Sequence, residues 1–199
     1  MPAPTRNQAQ QLTLRQREGR AANAVAELLR QKLSVPHIYI EPRSSLLRAD
    51  VLAVDRAGSG DLHAVEIKLP KDFGLQAPVP KVSYARNLNK MSFGWYPQFR
   101  KQMHEVHRQL MSLPAHYRYL AIPIPQVSFE LVMGELGPVL YSPDGIGRLG
   151  IVRIIDRGEE PPLAELAITP ERFRVDPMKL RNIEKKLLEK VRPDIEVRI

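Results

Sequence analysis

Residues 48–69 read RADVLAVDRAGSGDLHAVEIKL, and this stretch decides how the chain is expected to fold. Two strand-like runs, 48–55 and 62–69, flank a short turn rich in Gly and Ser. Because so short a turn leaves no room for a helical crossover, the two strands are expected to pair as an antiparallel hairpin. Asp50 lies near the start of the first run, and Glu66 and Lys68 lie on the second run with one residue between them.

The hairpin brings two carboxylates and a lysine into one neighbourhood. Residues i and i+2 of a strand face the same way, so Glu66 and Lys68 project from one face and Ile67 from the other. Fifteen residues separate Asp50 from Glu66, enough for two short strands and a turn, so Asp50 can lie beside Glu66. Paired carboxylates suit a hard cation such as Mg²⁺ or Mn²⁺, and a neighbouring lysine can position or activate water. These residues together predict a phosphodiesterase site.

The surrounding sequence predicts the other elements of an α/β fold. Residues 10–33 form an expected amphipathic helix whose apolar stripe includes one acid, Glu18, whereas Glu27 points to the opposite side. Further strands are expected at 35–41, 117–124, 137–141 and 149–155, and further helices at 98–111 and 178–191. The order α-β-β-β-α-β over the first two thirds of the chain favours a mixed sheet flanked by helices.

Composition limits the class of protein. The 199 residues carry 30 Lys+Arg against 22 Asp+Glu, a formal charge of +8, and no cysteine. The absence of cysteine excludes disulfide scaffolds, thiolate zinc sites and cysteine nucleophiles, so any metal needs oxygen ligands. No apolar run approaches the roughly 18–20 residues of a membrane span. We therefore expect one domain, residues 1–199, in a cytoplasmic, nucleoid-associated protein without a membrane partner.

A basic, aromatic and Pro-rich loop at about 70–97 is expected to be inserted into this domain. Residues 71–118 hold eight Lys/Arg against two Asp/Glu, interleaved with aromatic side chains that suit base stacking. The alternative is a solubilising surface whose aromatic residues fold into the core. The candidate nucleic-acid-binding residues are Lys71, Lys81, Arg86, Lys90, Trp95, Arg100 and Lys101.

The pattern Asp50…Glu66-x-Lys68 resembles that of the PD-(D/E)XK nuclease superfamily over roughly residues 15–125. Its run RAD…VEIK…DF is also similar to that of the MmcB-like DNA repair proteins, and the superfamily includes Holliday junction resolvases. Ala49 stands where the superfamily name has proline, and residues 74–96 look inserted relative to compact members.

The resemblance implies a restriction endonuclease-like α/β fold, with a mixed central sheet flanked by helices. It further implies Mg²⁺ or Mn²⁺ held by Asp50, Glu66 and the carbonyl of Ile67, with Lys68 acting on the attacking water. In this superfamily an earlier helix commonly adds a Glu, here Glu18. The helix after the motif often adds a Gln or Lys, for which Gln98 and Gln102 are candidates and Gln102 is preferred.

Two other motifs carry less weight. Gly145, Gly147 and Gly150 match the dinucleotide-binding GxGxxG spacing, but a strand-like run follows them where that site needs a helix. The sequence HEVH at 104–107 places its histidines three apart, whereas the metalloprotease motif needs four. We therefore expect a turn at the first motif and solvated helix residues at the second.

The predicted function is Mg²⁺-dependent hydrolysis of DNA by an endonuclease of repair, recombination or restriction, in which cleavage of both strands would favour a homodimer. One alternative is a non-catalytic nucleic-acid-binding module or subunit on the same fold. Another is an unrelated α/β protein, in which Glu66 and Lys68 would lie on an open surface far from Asp50.

Overall fold

The computed structural model describes residues 14–40, 49–55, 60–68, 96–124, 147–157 and 160–190. These ranges contain three helices and six strands. In chain order they are α1 (Leu14–Lys32), β1 (His37–Ile40), β2 (Val51–Val54), β3 (Leu62–Ile67), α2 (Tyr96–Ser112), β4 (Tyr117–Ile124), β5 (Gly150–Ile155), β6 (Leu163–Ile168) and α3 (Pro177–Lys190).

The six strands form one mixed sheet in which spatial order follows chain order, from β1 to β6. The pairs β1/β2, β2/β3 and β5/β6 are antiparallel, whereas β3/β4 and β4/β5 are parallel. Val51 lies opposite Val65, and Val54 lies opposite Leu62, so the predicted antiparallel hairpin is confirmed. A parallel neighbour needs a crossover, and α2 lies in the connection from β3 to β4. The predicted mixed α/β sheet is therefore present.

Each face of the sheet has its own hydrophobic core. α1 covers the face that carries Val65 and Ile67, and it buries Ala21, Val25 and Leu29 as its 3.6-residue pattern predicts. The other face carries Leu52, Ala64 and Leu120, and it packs against Val106 and Leu110 of α2 and Ile183 of α3. Because strand residues alternate in direction, Glu66 belongs to the face of Ala64, which α2 and α3 cover.

The glycine-rich motif ends in a strand, as its sequence predicts. Gly150 begins β5, and a side chain at this position would meet Cδ1 of Tyr119 at 2.6 Å. Gly147 has a φ of +93°, and a Cβ there would meet the Phe173 ring at 2.7 Å. Close packing and backbone conformation therefore explain these two glycines without a nucleotide.

Several boundaries differ from those predicted. α2 begins at Tyr96, inside the range assigned to the inserted loop, and Pro97 lies in its first turn, where a missing N–H costs little. β6 was not among the strands predicted. The rest of the expected loop and the strand expected at 137–141 lie outside the described residues. No described helix is long and apolar enough to cross a membrane.

Candidate functional site

Asp50 is fixed to the neighbouring strand by two hydrogen bonds. Its backbone N donates to the carbonyl of Val65 at 3.0 Å, directly before β2 begins. Its carboxylate Oδ2 accepts from the backbone N of Ile67 at 2.6 Å. The second bond occupies the backbone N–H of Ile67. β2 would pair with this N–H if the strand began before Val51. Asp50 is therefore held, half-buried, beside the end of β3.

Glu66 and Lys68 share the α2 face of the sheet at that same strand end. Glu66 is 5% exposed, and its Oε1 accepts from Nζ of Lys68 at 2.6 Å. The backbone N of Lys68 donates to the carbonyl of Ala121 at 2.9 Å, which continues the β3/β4 ladder by one residue. The side chain of Lys68 is 19% exposed, so its ammonium group lies at the border between protein and solvent. The open-surface arrangement expected of an accidental motif is not what these residues form.

The environment of Glu66 disfavours its ionised form. Burial raises the pKa of Glu66 above its usual value, and the charge of Asp50 raises it further. The hydrogen bond and charge of Lys68, together with the amide of Gln109, act in the opposite direction on this pKa. A cation next to the two carboxylates would remove the repulsion between them. The electrostatics of the site therefore favour a bound cation.

One oxygen of this carboxylate has no partner. Among the described residues, Oε2 of Glu66 is fully buried and accepts no hydrogen bond of normal geometry, although Gln109 lies close enough to lower the pKa. A buried unsatisfied polar atom costs about 1–3 kcal/mol, and such atoms are concentrated where a ligand or ion completes the site.

The donor set fits a small hard cation. Mg²⁺ commonly takes one or two carboxylates and completes its shell with water and substrate phosphate, so Asp50 and Glu66 suffice. The N–H of Ile67 points toward Asp50. In a strand, the carbonyl of a residue points to the same side as its N–H, so the carbonyl of Ile67 suits the third ligand implied by the resemblance to the superfamily. The described residues contain no group of three or more His, Cys, Asp or Glu side chains that could hold a metal ion, so a carboxylate-rich or histidine-rich metal cage is not formed there.

Glu18 and Gln102 occupy helices on opposite sides of the sheet. Glu18 lies half-buried on α1, over the face opposite Glu66, and its catalytic role stays a prediction. Gln102 lies in α2, but the described part of the structure does not include its side chain. Gln109, two helical turns later on the same flank, is the glutamine that reaches Glu66. The sequence carried its signal, because residues 102 and 109 are seven apart and share a helix face.

Most candidate nucleic-acid-binding residues cannot be placed. Lys101 is exposed on α2, and Arg100 lies in the same helix with its side chain outside the description. The remaining five candidates also lie outside the described residues: Lys71, Lys81, Arg86, Lys90 and Trp95. Their proposed contact with DNA stays a prediction.

A separate polar cluster lies at the other end of β3. His63 is 7% exposed, its Nδ1 is 2.9 Å from the hydroxyl of Tyr119, and its ring stacks on Tyr117 with 4.7 Å between centroids. Burial lowers the pKa of His63 to about 4, so the ring is neutral at neutral pH.

An ion pair between Asp61 and Arg172 lies at the same end of the sheet. The Arg172 guanidinium donates to both carboxylate oxygens of Asp61, with the shortest distance 2.8 Å from Nη2 to Oδ1. His116 Nδ1 lies 3.4 Å from the same Oδ1, but it accepts a 3.0 Å hydrogen bond from the backbone N of Leu62. That nitrogen therefore has no proton to give to Asp61, and the contact is not an ion pair. These bonds attach the segment before α3 to the sheet.

Comparison with known proteins finds no matching family model, no matching curated protein and no matching solved structure. Any function for this chain must therefore be argued from its own residues.

Proposed function

We propose that the protein is a divalent-metal-dependent nuclease that hydrolyses DNA, with a restriction endonuclease-like fold of the PD-(D/E)XK type. The observation that carries the proposal is the buried, unpartnered Oε2 of Glu66, in a carboxyl group on which the charges of both Asp50 and Lys68 act. A structural ion pair would not need a second carboxylate beside it, since Asp50 adds repulsion and no hydrogen bond to Glu66.

Each residue has a role that follows from its position. Asp50 and Glu66 bind the cation, while the hydrogen bond from Ile67 to Asp50 fixes the direction of that carboxylate. When bound, Mg²⁺ supplies charge stabilisation for the phosphoryl transition state and lowers the pKa of water. Lys68, at the border with solvent, is placed to hold the attacking water or to offset phosphate charge. Gln109 orients the carboxylate of Glu66 from the helix above it.

The decisive experiment compares the wild type with Lys68→Ala on plasmid, linear duplex, single-stranded and branched DNA with Mg²⁺ or Mn²⁺. We expect the wild type to cleave at least one substrate, and the variant to cleave it about 100-fold to 10,000-fold more slowly, the range typical for loss of an acid–base group. Binding measured with Ca²⁺ should change little, because Lys68 is one cation among many.

Lys32→Ala is the matched control. Lys32 is an exposed lysine at the end of α1, over the opposite face of the sheet, so its removal should leave the cleavage rate unchanged. Equal inertness of the wild type and Lys68→Ala on all four substrates, with both metals, would refute the proposed activity.

A further inference from the structure

α2 and α3 cover the face of the sheet that carries Glu66, and both helices present cationic side chains to solvent. α2 packs inward through Val106 and Leu110, and α3 packs inward through Ile183, all within one hydrophobic core. On the outer side of α2, Lys101 and Arg108 are exposed. They are seven residues apart, which is close to two helical turns, so they share one side of the helix.

α3 repeats this arrangement with more charge. Lys179, Arg181 and Lys185 are all exposed. Arg181 and Lys185, at a spacing of four, share one side of the helix, whereas Lys179 lies on another side. Residues 174–186 contain five Lys/Arg and two Asp/Glu. One of the two acids, Asp176, accepts a 2.9 Å hydrogen bond from the backbone N of Met178, so it caps the helix.

The chemistry of this face selects a phosphate polymer over two other occupants. A helix that lies on a lipid surface needs an apolar face for the membrane, but Leu180 and Ile183 of α3 already pack against the protein core. Met178, 68% exposed, is the one large hydrophobic side chain that the described part of α3 presents to solvent. A two-fold contact with a second copy would set this cationic face against itself, which like charges oppose.

We propose that the outer face of α3, formed by Arg181 and Lys185, binds the backbone of duplex DNA without reading its sequence. The face lies on the same side of the sheet as Glu66, with the exposed cations of α2 on that side as well. The choice of DNA rests on the proposed function, but the contact itself needs neither metal nor cleavage. Each cation that neutralises a phosphate releases counterions, so its contribution is measurable as salt dependence.

The test is the affinity for a 30-base-pair duplex, measured by fluorescence anisotropy in EDTA from 50 to 300 mM KCl. Arg181→Gln and Lys185→Gln are combined in one variant, because glutamine has a helix propensity close to that of Lys and Arg. If both cations contact phosphate, the slope of log K against log[salt] becomes shallower by about 2, from about 0.9 per contact.

A second double variant controls for net charge. Arg17→Gln and Lys32→Gln remove two exposed cations from α1, which covers the opposite face of the sheet. This variant should keep the wild-type slope within about 0.5, about half the slope of one phosphate contact. Far-UV circular dichroism and melting curves establish that both variants are folded.

The outcomes separate this inference from the proposed function. Equal slopes for both double variants, or a wild-type slope for the α3 variant, would overturn the inference even if the wild type cleaves DNA. An α3-dependent loss of slope in a protein that cleaves no substrate would support the inference and refute the nuclease. Binding to phosphatidylserine vesicles that is lost in the α3 variant, with DNA binding intact, would show a lipid partner and overturn the DNA contact.

Discussion

Replacing Glu66 with Gln is expected to stabilise the metal-free protein and to remove its response to Mn²⁺. The pKa of Glu66 is raised in the folded state, first by burial and then by Asp50. A carboxyl whose folded pKa exceeds its unfolded pKa gives up stability as the pH rises through the folded value, so at neutral pH the wild type carries this cost. The amide removes the charge, and its oxygen still accepts from Lys68.

The size of the effect follows from one buried charge. The amide carries no charge to desolvate and none for Asp50 to repel, but its NH2 group stays buried and its attraction to Lys68 is weaker, and both offset part of the gain. We expect a net gain of about 1 kcal/mol, which raises the melting temperature of a domain of this size by about 2–4 °C. For the wild type, Mn²⁺ at a hundred times its dissociation constant adds about 2.7 kcal/mol, or about 5–10 °C. The variant should show none of this shift.

The assay is thermal unfolding followed by circular dichroism, in EDTA and across a Mn²⁺ titration. Glu27→Gln is the control, since Glu27 has a side chain that is 44% exposed on α1 and paired with Arg30. This control should respond to Mn²⁺ as the wild type does, with its stability changed by no more than about 0.5 kcal/mol. A Glu66→Gln protein that melts several degrees below the wild type in EDTA, or that keeps the full Mn²⁺ shift, would show that Glu66 serves only as the partner of Lys68.

Three further predictions concern the sheet and its helix. Burial lowers the pKa of His63 to about 4, below its unfolded value of 6.5, so the free energy of unfolding is expected to fall as the pH drops from about 6.5 to about 4. The loss is up to about 3 kcal/mol, at about 1.36 kcal/mol per pKa unit. In His63→Gln the melting temperature should depend less on pH, and an unchanged pH dependence would contradict this. Gly150→Ala places a Cβ 2.6 Å from the ring of Tyr119 and should destabilise by about 1–3 kcal/mol in urea unfolding, whereas wild-type stability would mean that the ring moves freely. Gln109→Leu should weaken Mn²⁺ binding in calorimetry while Gln109→Glu keeps or strengthens it, because only the latter retains a polar group beside Glu66; equal loss in both variants would indicate packing alone.

The hairpin was predictable because its signals are local. The short Gly/Ser turn forces antiparallel pairing, and the alternation along β3 places Glu66 and Lys68 on one face whatever the rest of the chain does. The apolar stripe of α1 was equally predictable from the sequence, since its buried residues recur at the helical period. The approach of Asp50 to β3 followed from the length of the connection alone.

β6 was missed because an edge strand is specified weakly by its own sequence. Residues 163–168 lie after a Pro-rich connector, and Leu163 is 42% exposed at the edge of the sheet. The strand exists because it continues the ladder of β5, with a shift in register between Ile151 and Val152. That pairing depends on a partner already in place, so neither composition nor alternation reveals it.

The preference for Gln102 over Gln98 left Gln109 out, because the part of α2 that passes over Glu66 depends on the direction of the helix, which a helical pattern does not contain. Gln102 and Gln109 are seven residues apart and lie on the same flank. β3 and β4 are parallel, so α2 must run back along the sheet from the carboxyl end of β3 toward the start of β4. Glu66 lies one residue inside that end, and its interaction with Gln109 places the later part of the helix over it. Lys101 and Gln109 are eight positions apart, which is about 12 Å along the helix at 1.5 Å per residue. Lys101 is accordingly carried past Glu66, toward the sheet end where Lys68 meets solvent, and not onto the carboxylates. If this direction is correct, Lys101→Gln should weaken DNA binding without changing the affinity for Mn²⁺, and a variant that alters Mn²⁺ binding instead would show that α2 crosses the site differently.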